Sequence, residues 1–228
     1  MAEGHRHRTG SPPPPGGLVL QVAPAGAVVA ERTFVAAGEP PSPNAASESG
    51  RRCAHVALAA LGCPTGSIPR GPRGQPLWPL GVVGSISHCN TWHAACVALT
   101  RDVAALGIDV EQHRPFPSAG AARIFGVAEH ARLSELDAMW PGRHWATIAF
   151  SAKESVYKAW FPHFGTWLGF RDVDVTLAPS GADQGALDAR LVRPVHGVRP
   201  GDPGTHFEGR FVLTDGHVAT SAFCLRSE

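Results

Sequence analysis

Apolar residues occur along the first half of the chain in short, β-branched stretches that predict strands over 18–29, 82–86, 94–99 and 103–111. The polar residues 87–90 separate the second stretch from the third and predict a turn there. The first half of the chain is therefore expected to consist largely of strands.

Helix signals interrupt these strands. Ser42-Pro43 has the form of a helix start, with proline at the first helical position, and Gly62 predicts that this helix ends after Leu61. Helical patterns return in the second half and continue up to Trp140. A further helix is predicted over 151–161.

The remainder of the second half predicts strands over 173–177 and 189–192. Two longer apolar segments, 207–214 and 217–225, are joined by Asp215-Gly216, which suits a type I′ turn. This pattern predicts a β-hairpin close to the C-terminus.

Proline and glycine divide the chain. Residues 1–17 are expected to form a disordered tail, because they are rich in proline and glycine. Residues 113–118 contain two prolines and are predicted to link an N-terminal α+β half, 18–112, to a C-terminal α+β half, 119–228. Each half has a helix followed by strands, so the pattern suggests a duplicated α+β unit.

Composition excludes several classes of protein. The net charge of +1 in 228 residues gives no global field for nucleic acid or a membrane surface. The five cysteines include no C-x-x-C pair, so a disulfide framework or a zinc site is not expected. The N-terminus has no apolar signal core, and no stretch approaches the roughly 20 apolar residues of a membrane span. We therefore expect a cytoplasmic protein.

Lysine has an unusual distribution. Only two of the 20 lysine and arginine residues are lysines, and both Lys153 and Lys158 lie in the run 150–160, which also contains the single tyrosine. An ammonium is a compact point charge that can release a proton, whereas a guanidinium is planar and stays charged. The pattern indicates a chemical role for the two lysines, although coding drift toward arginine with two chance survivors would also explain it.

Asp109 and Glu111 form a pair of acids at the end of a predicted strand. Because side chains alternate along a strand, the two carboxylates lie on one face, with Val110 on the other. Adjacent carboxylates repel unless a positive charge lies between them, and Mg²⁺ is a usual partner of such a pair. The alternative is a solvated strand end with two ordinary acids.

The helix predicted over 151–161 has two possible interpretations. Ser151 and Glu154 fit a capping box, and Glu154 and Lys158 have the i, i+4 spacing of a surface ion pair. In the functional interpretation, the first helical turn directs Glu154 toward a metal. Lys153 and Lys158 would then face phosphate oxygens, aided by the helix dipole.

His88 follows Ser87 at a predicted strand end, where both side chains would suit a phosphate. A single histidine of this kind is more often a hydrogen-bonded structural residue. The arginines on either side of this segment are Arg51, Arg52, Arg70 and Arg73.

Three motifs together carry a family resemblance: Gly84-Ser-Ile-Ser-His88, Gly107-Ile-Asp-Val-Glu111 and Phe150-Ser-Ala-Lys-Glu-Ser-Val-Tyr-Lys158. The chain resembles the 4′-phosphopantetheinyl transferases of the long, monomeric type that serve surfactin and enterobactin synthetases. The flanking Trp167-Leu-Gly-Phe170 is similar to the actinobacterial branch that serves polyketide, peptide and lipid synthases. The resemblance covers residues 45–225.

This resemblance implies a pseudo-dimer of two similar α+β halves, with the active site in the cleft between them. It implies transfer of 4′-phosphopantetheine from coenzyme A to a serine of an acyl or peptidyl carrier protein, with release of 3′,5′-ADP. Asp109, Glu111 and Glu154 are expected to bind Mg²⁺, for which Mn²⁺ can substitute. Glu154 is the candidate general base, and Lys158 is expected to stabilise or protonate the leaving group. The residues expected to contact coenzyme A are Arg51, Arg70, Ser87, His88, Lys153 and Lys158.

The chain departs from the family pattern at one phosphate-binding position. Relatives often carry a further basic residue about two turns before Arg51, where this chain has Pro43-Asn44-Ala45, so Arg52 is a candidate substitute. The carrier protein is expected to dock on the segment Phe116 to Arg132, which offers Arg123 and Arg132 around apolar residues. Two alternatives stay open: a coenzyme A- or carrier-binding protein without transfer activity, and a Mg²⁺-dependent phosphohydrolase of coenzyme A.

Overall fold

The fold is an α+β arrangement of two antiparallel sheets and, in the residues described here, four α-helices, which confirms the predicted fold class. The computed structural model describes residues 17–33, 43–64, 66–193, 195, 198, 204–214 and 216–226. Its elements in chain order are β1 (Val28–Thr33), α1 (Pro43–Ala60), β2 (Val82–Cys89), β3 (Trp92–Leu99), β4 (Val103–Gln112), α2 (Ser118–Ile124), α3 (Val127–Met139), α4 (Trp145–Phe164), a short 3-10 helix (Phe170–Asp172), β5 (Val173–Pro179), β6 (Gln184–Leu191), β7 (His206–Leu213) and β8 (His217–Leu225).

The first sheet has the strand order β1-β3-β2, and α1 packs against it. The buried residues of α1 recur at helical spacing on one face, so this face meets the apolar side chains of β3. The helix is followed by Gly62 at φ +77°, a conformation that favours glycine. The predicted end of α1 is therefore confirmed. The buried residues of this face are Cys53, Ala54, Ala57 and Leu58.

The second sheet has the order β4-β8-β7-β6-β5, with α4 packed across it. The backbone of α4 approaches β4 most closely at Gly107, where an added Cβ would lie 1.9 Å from the carbonyl oxygen of Ser155. Only glycine permits this approach, because any side chain would push the helix away. Gly107 therefore sets the distance between α4 and the acidic end of β4.

The chain before β1 differs from the prediction. Residues 18–22 form turns rather than a strand, and β1 starts only at Val28. The Glu31 carboxylate accepts hydrogen bonds from the backbone N–H groups of Leu18 (3.0 Å) and Leu20 (2.8 Å), which holds this segment in place. Leu18 is fully buried in a cluster that includes residues of β3, β4 and β8. The apolar residues 18–22, which had predicted a strand, thus form a turn whose buried side chains pack into the core.

Two local predictions were wrong. The predicted turn at residues 87–90 is shorter than expected, because β2 continues to Cys89 and leaves only Asn90 and Thr91 between paired strands. The predicted helix start at Ser151 lies inside α4, which begins at Trp145, so the capping box does not form.

The hairpin of β7 and β8 is confirmed, with Glu208 paired to Phe223 and Leu213 to Val218. Asp215 of its predicted turn lies outside the described residues, as do residues 1–16 of the predicted tail and Ser42 of the first helix start.

Residues 113–117 join β4 to α2 without regular structure. By hydrogen bonding, however, β4 belongs with the strands that follow this segment, because it pairs with β8 along its length. The division of the chain into halves at 113–118 stays a prediction.

Candidate functional site

The two sheets meet where β2 lies beside the open edge of β4. Ser85 Oγ accepts a hydrogen bond from the backbone N–H of Ile108 (3.0 Å), and Ser87 Oγ accepts one from that of Val110 (3.1 Å). These alternating serines of β2 satisfy edge groups that have no strand partner on this side. The contact places Ser87 directly beside the carboxylate of Asp109.

Asp109 is the centre of this site. Its side chain is buried, with 4% of the residue exposed, and it accepts three hydrogen bonds from side chains. Oδ1 accepts from Ser87 Oγ (3.0 Å) and from Lys158 Nζ (2.7 Å), while Oδ2 accepts from Ser151 Oγ (2.9 Å). The carboxylate is therefore held from β2 and from α4 at the same time.

Glu111 and Glu154 complete an acidic cluster with Asp109. Burial raises the pKa of Glu111 to about 7, and the charge of Asp109 adds to this shift, with Glu154 contributing and Lys158 opposing it. Burial also raises the pKa of Glu154, opposed by Lys158 and reinforced by Asp109. The three acids predicted to act together are therefore close enough to influence one another.

Lys158 does not form the surface ion pair that its spacing from Glu154 suggested. Its ammonium forms an ion pair with Asp109 instead, and it also donates to Ser87 Oγ (3.0 Å). Lys158 of α4 thus places a positive charge beside Asp109 of β4 and Ser87 of β2. Its side chain is 27% exposed, whereas that of Asp109 is 5% exposed.

His88 lies at the end of β2, at the open side of this cluster. Its pKa is lowered by burial of part of the ring and by the charge of Lys158, while Asp109 opposes the shift. The lowered pKa favours a neutral ring near pH 7, which can still donate one hydrogen bond to a phosphate oxygen.

Arg51 and Arg70 form a second cationic group between α1 and the following loop. Arg51 donates to the carbonyl oxygen of Ile68, and Arg70 donates to Ser47 Oγ. Burial lowers the pKa of Arg51, and the nearby charge of Arg70 lowers it further. Two neighbouring guanidinium groups are favourable where an anion binds between them.

Lys153 was expected to contact phosphate, and in this structure its ammonium has partners inside the protein. Its ammonium is buried, forms an ion pair with Glu129 Oε1 at 2.7 Å, and donates to the carbonyl oxygens of Phe170 (2.7 Å) and Val173. An ammonium has three donors, and all three are used inside the protein. Burial lowers the Lys153 pKa, while the contact with Glu129 opposes the shift. Lys153 therefore connects α4 with α3 and β5.

The proposed docking segment is also changed by the structure. Arg132 Nη2 contacts both carboxylate oxygens of Asp174, at 2.7 and 2.9 Å, and the Phe125 side chain is buried. Arg123 stays exposed, and Val127 is 86% exposed. Of the two predicted arginines, Arg132 is paired with Asp174, whereas Arg123 is exposed.

The carboxylates fit a divalent cation in their chemistry. Hard cations such as Mg²⁺ prefer carboxylate oxygens, and the mutual effects among Asp109, Glu111 and Glu154 favour an added positive charge. As arranged here, with Lys158 on Asp109, no group of three histidine, cysteine, aspartate or glutamate side chains in the described residues has the geometry of a metal site.

Four residues of this site were missed from the sequence. Ser151 was assigned to a helix cap, and Ser155, Thr220 and Glu129 were not considered. Ser151, Ser155 and Lys158 have the i, i+4, i+7 spacing of one helix face, which would have pointed to the two serines if the helix had been started earlier. Glu129 contacts Lys153, and Thr220 Oγ1 contacts the hydroxyls of Ser151 and Ser155. These contacts join distant segments, which local sequence patterns do not predict.

Comparison with known proteins identifies relatives of this chain. The model of the 4′-phosphopantetheinyl transferase superfamily matches residues 105–198, and that of the 4′-phosphopantetheinyl transferase N-terminal domain matches residues 40–98. The 4′-phosphopantetheinyl transferase Svp of Streptomyces mobaraensis is 43% identical over 173 residues, which cover 75% of this chain and 68% of the relative.

Two further relatives have similar coverage. The 4′-phosphopantetheinyl transferase Npt of Nocardia iowensis is 37% identical over 75% of this chain and 78% of its own length. The 4′-phosphopantetheinyl transferase PptT of Mycobacterium tuberculosis is 37% identical over 75% of this chain and 74% of its own length.

Within the part of the chain that is described, no helix is both long and apolar enough to cross a membrane.

Proposed function

This chain belongs to the 4′-phosphopantetheinyl transferase superfamily, and from this premise we propose that it moves 4′-phosphopantetheine from coenzyme A to a serine of an acyl or peptidyl carrier protein. The proposed reaction depends on Mg²⁺ or Mn²⁺ and releases 3′,5′-ADP. The enzyme is proposed to act as a monomer in the cytoplasm, with no nucleic-acid or membrane partner.

One observation carries the proposal. Asp109 on β4 and Lys158 on α4 meet Ser87 of β2, with Glu111, Glu154 and His88 around them. Acids for a metal ion and cations for phosphate oxygens therefore lie at one junction of the two sheets. A diphosphate requires this combination, because negative charge must be neutralised as a phosphoryl group is transferred.

The residues have distinct proposed roles. Glu154 accepts the proton of the carrier serine, directly or through water, as the serine oxygen attacks the β-phosphate of coenzyme A. Glu154 is the proposed base because its carboxylate lies on α4 near both Asp109 and Lys158, at the point where the diphosphate is proposed to bind. Lys158 and His88 contact the diphosphate, and Lys158 stabilises the 3′,5′-ADP that leaves.

Asp109, Glu111 and Glu154 are proposed to hold Mg²⁺, which when bound would neutralise phosphate charge. Arg51 and Arg70 are proposed to bind a phosphate of coenzyme A, since their guanidinium groups already lie near each other. Lys153 is proposed to connect α4 with α3 and β5 rather than to contact phosphate, because its ammonium has three partners inside the protein.

Intact mass spectrometry tests this function directly. Candidate apo-carrier proteins are incubated with the enzyme, coenzyme A and Mg²⁺, and the expected product is a carrier heavier by one phosphopantetheine group on its serine. A carrier in which that serine is replaced by alanine is the matched control. Release of free phosphopantetheine without carrier modification would favour the phosphohydrolase, and no change in either molecule would favour a binding protein.

A further inference from the structure

Three buried hydroxyl groups form a continuous chain beneath Asp109. Ser151 and Ser155 lie on α4 and Thr220 lies on β8, and all three are 0% exposed. Ser151 Oγ is 2.9 Å from Asp109 Oδ2 and 2.9 Å from Thr220 Oγ1, which is in turn 2.7 Å from Ser155 Oγ. The chain therefore begins in the core and ends on the carboxylate.

The direction of these hydrogen bonds follows from counting protons. A carboxylate can only accept, so Ser151 uses its single hydroxyl proton on Asp109. Thr220 must then donate to Ser151, and Ser155 must donate to Thr220. Ser155 Oγ also lies 3.2 Å from the carbonyl oxygen of Thr220, so its proton is shared at the closed end of the chain. The Thr220 and Ser151 hydroxyls thus both donate toward the carboxylate, and bonds aligned in this way polarise one another.

We infer that Ser151 and Thr220 are positioning residues for the proposed transfer reaction, because their hydroxyl chain fixes the orientation of the Asp109 carboxylate. With Oδ2 held by Ser151, Oδ1 is directed to Ser87 and Lys158 at the cleft. The inference rests on the proposed function, in which Asp109 holds the metal ion. Residues that orient a metal-binding carboxylate commonly change metal affinity or activity by about 10–100-fold when they are removed.

The geometry of α4 explains why one helix can hold both oxygens of the carboxylate. Ser151, Ser155 and Lys158 lie on the same helix face, and Gly107 brings this face against β4. Rotation or sliding of α4 would therefore disturb Oδ1 and Oδ2 of Asp109 together. The orientation of the Asp109 carboxylate therefore depends on the position of α4, because Ser151 and Lys158 of this helix contact its two oxygens.

Ser221 provides a matched control for loss of a buried hydroxyl. It follows Thr220 on β8, is also 0% exposed, and donates to the carbonyl oxygen of Val22 at 2.6 Å. Its side chain points to the opposite face of the sheet, away from Asp109. Ser221→Ala therefore removes a comparable buried hydrogen bond without touching the chain.

The test compares full-length wild type with Ser151→Ala, Thr220→Val, Thr220→Ser and Ser221→Ala. Mn²⁺ affinity is measured by electron paramagnetic resonance in the presence of coenzyme A, together with kcat and the KM for coenzyme A. We expect Ser151→Ala to weaken Mn²⁺ binding by about tenfold or more and to lower kcat more than it changes KM. Thr220→Val should have a smaller effect in the same direction. Thr220→Ser, which keeps the hydroxyl, and Ser221→Ala should bind Mn²⁺ like wild type.

The outcomes separate this inference from the proposed function. If wild type modifies no carrier, the proposed function fails, while the Mn²⁺ affinities still decide whether Ser151 positions Asp109. Equal Mn²⁺ affinity in Ser151→Ala and Ser221→Ala would overturn the inference. So would a wild-type protein that does not bind Mn²⁺, because Asp109 would then have no metal ion to be positioned for.

Discussion

The ammonium of Lys158 lies 2.7 Å from Oδ1 of Asp109, which places a cation from the second half of the chain on an acid that precedes the linker segment. This contact crosses from α4 to β4, and Ser87 of β2 joins it from the other sheet. Asp109 and Lys158, which belong to separate sequence motifs, are thus direct neighbours. Their contact also means that Asp109 must exchange or share its partner when a metal ion binds.

Removal of either acid at the end of β4 should abolish most transfer activity. Asp109→Ala or Glu111→Ala should lower the rate by at least about a hundredfold, because each change removes an anionic ligand for the proposed metal. Transfer is measured by carrier mass with added Mg²⁺, and circular dichroism checks that the fold survives. Near wild-type transfer by Asp109→Ala in chelator-treated buffer would show that the metal assignment is wrong.

Arginine should not replace Lys158 fully. Lys158→Arg keeps a positive charge, but a guanidinium does not release its proton, and its planar shape differs from the compact ammonium that contacts Asp109 and Ser87. We expect kcat to fall by about tenfold or more, with a smaller change in the KM for coenzyme A. Full activity of this variant would reduce Lys158 to a simple counter-charge.

The Lys153–Glu129 pair should contribute to stability and not to coenzyme A binding. Lys153→Met leaves Glu129 buried without its partner and should lower the free energy of unfolding by about 3–5 kcal/mol. Lys153→Met combined with Glu129→Gln should recover part of this loss, because both groups are then neutral. Urea unfolding measures the stabilities, and calorimetry measures coenzyme A affinity.

The coenzyme A affinity of folded Lys153→Met provides the contrast with a phosphate-binding role. A change of less than about twofold is expected, since the ammonium already uses its three donors inside the protein. A loss of tenfold or more with little effect on stability would restore Lys153 to the phosphate site.

Charge reversal should separate the two arginines of the predicted docking segment. Arg123→Glu should raise the KM for the carrier by about threefold to tenfold, leave the KM for coenzyme A unchanged, and lose its effect at high salt, where the attraction is screened. Arg132→Glu is the matched comparison, because it breaks the contact with Asp174 and should mainly lower stability. An unchanged carrier KM for Arg123→Glu would move the docking surface elsewhere.

The stability of the metal-free protein should depend on Glu111 in a defined pH window. Burial raises its pKa from 4.5 to about 7, so the folded state binds more protons than the unfolded state between these values. The contribution of Glu111 to the free energy of unfolding is fully present below its pKa of 4.5 in the unfolded state. It is lost as the pH rises through its pKa of about 7 in the folded state. Wild type should therefore lose stability relative to Glu111→Gln between about pH 5 and about pH 8, by on the order of 1–3 kcal/mol.

Urea unfolding with a chelator present measures this difference. Added Mg²⁺ should remove much of it at the higher pH, since a bound cation favours the ionised carboxylate. A constant difference between wild type and Glu111→Gln across the window would show that Glu111 is not perturbed by its neighbours.

Local pattern was sufficient for much of the fold and for the central acids. The end of α1 shortly before Gly62 and the hairpin of β7 and β8 follow from turn residues and periodicity, which act between neighbours in sequence. Period-two alternation also placed Asp109 and Glu111 on one face, and the charge of Asp109 helps to raise the pKa of Glu111, which agrees with this placement. The same local rules failed at residues 18–22. An apolar pattern alone does not distinguish a buried strand from a buried turn, and this turn is held by hydrogen bonds to the distant Glu31.

What the sequence by itself determined is the chemical inventory of the site: three acids, two lysines and a histidine in ordered motifs that identify the family. Only the tertiary structure decided which of them meet. Periodicity assigns a side chain to a face, but the partner on that face comes from a distant segment through packing. Lys153 turned inward because Glu129 of α3 lies there, whereas Lys158 reached Asp109 because Gly107 lets α4 approach β4.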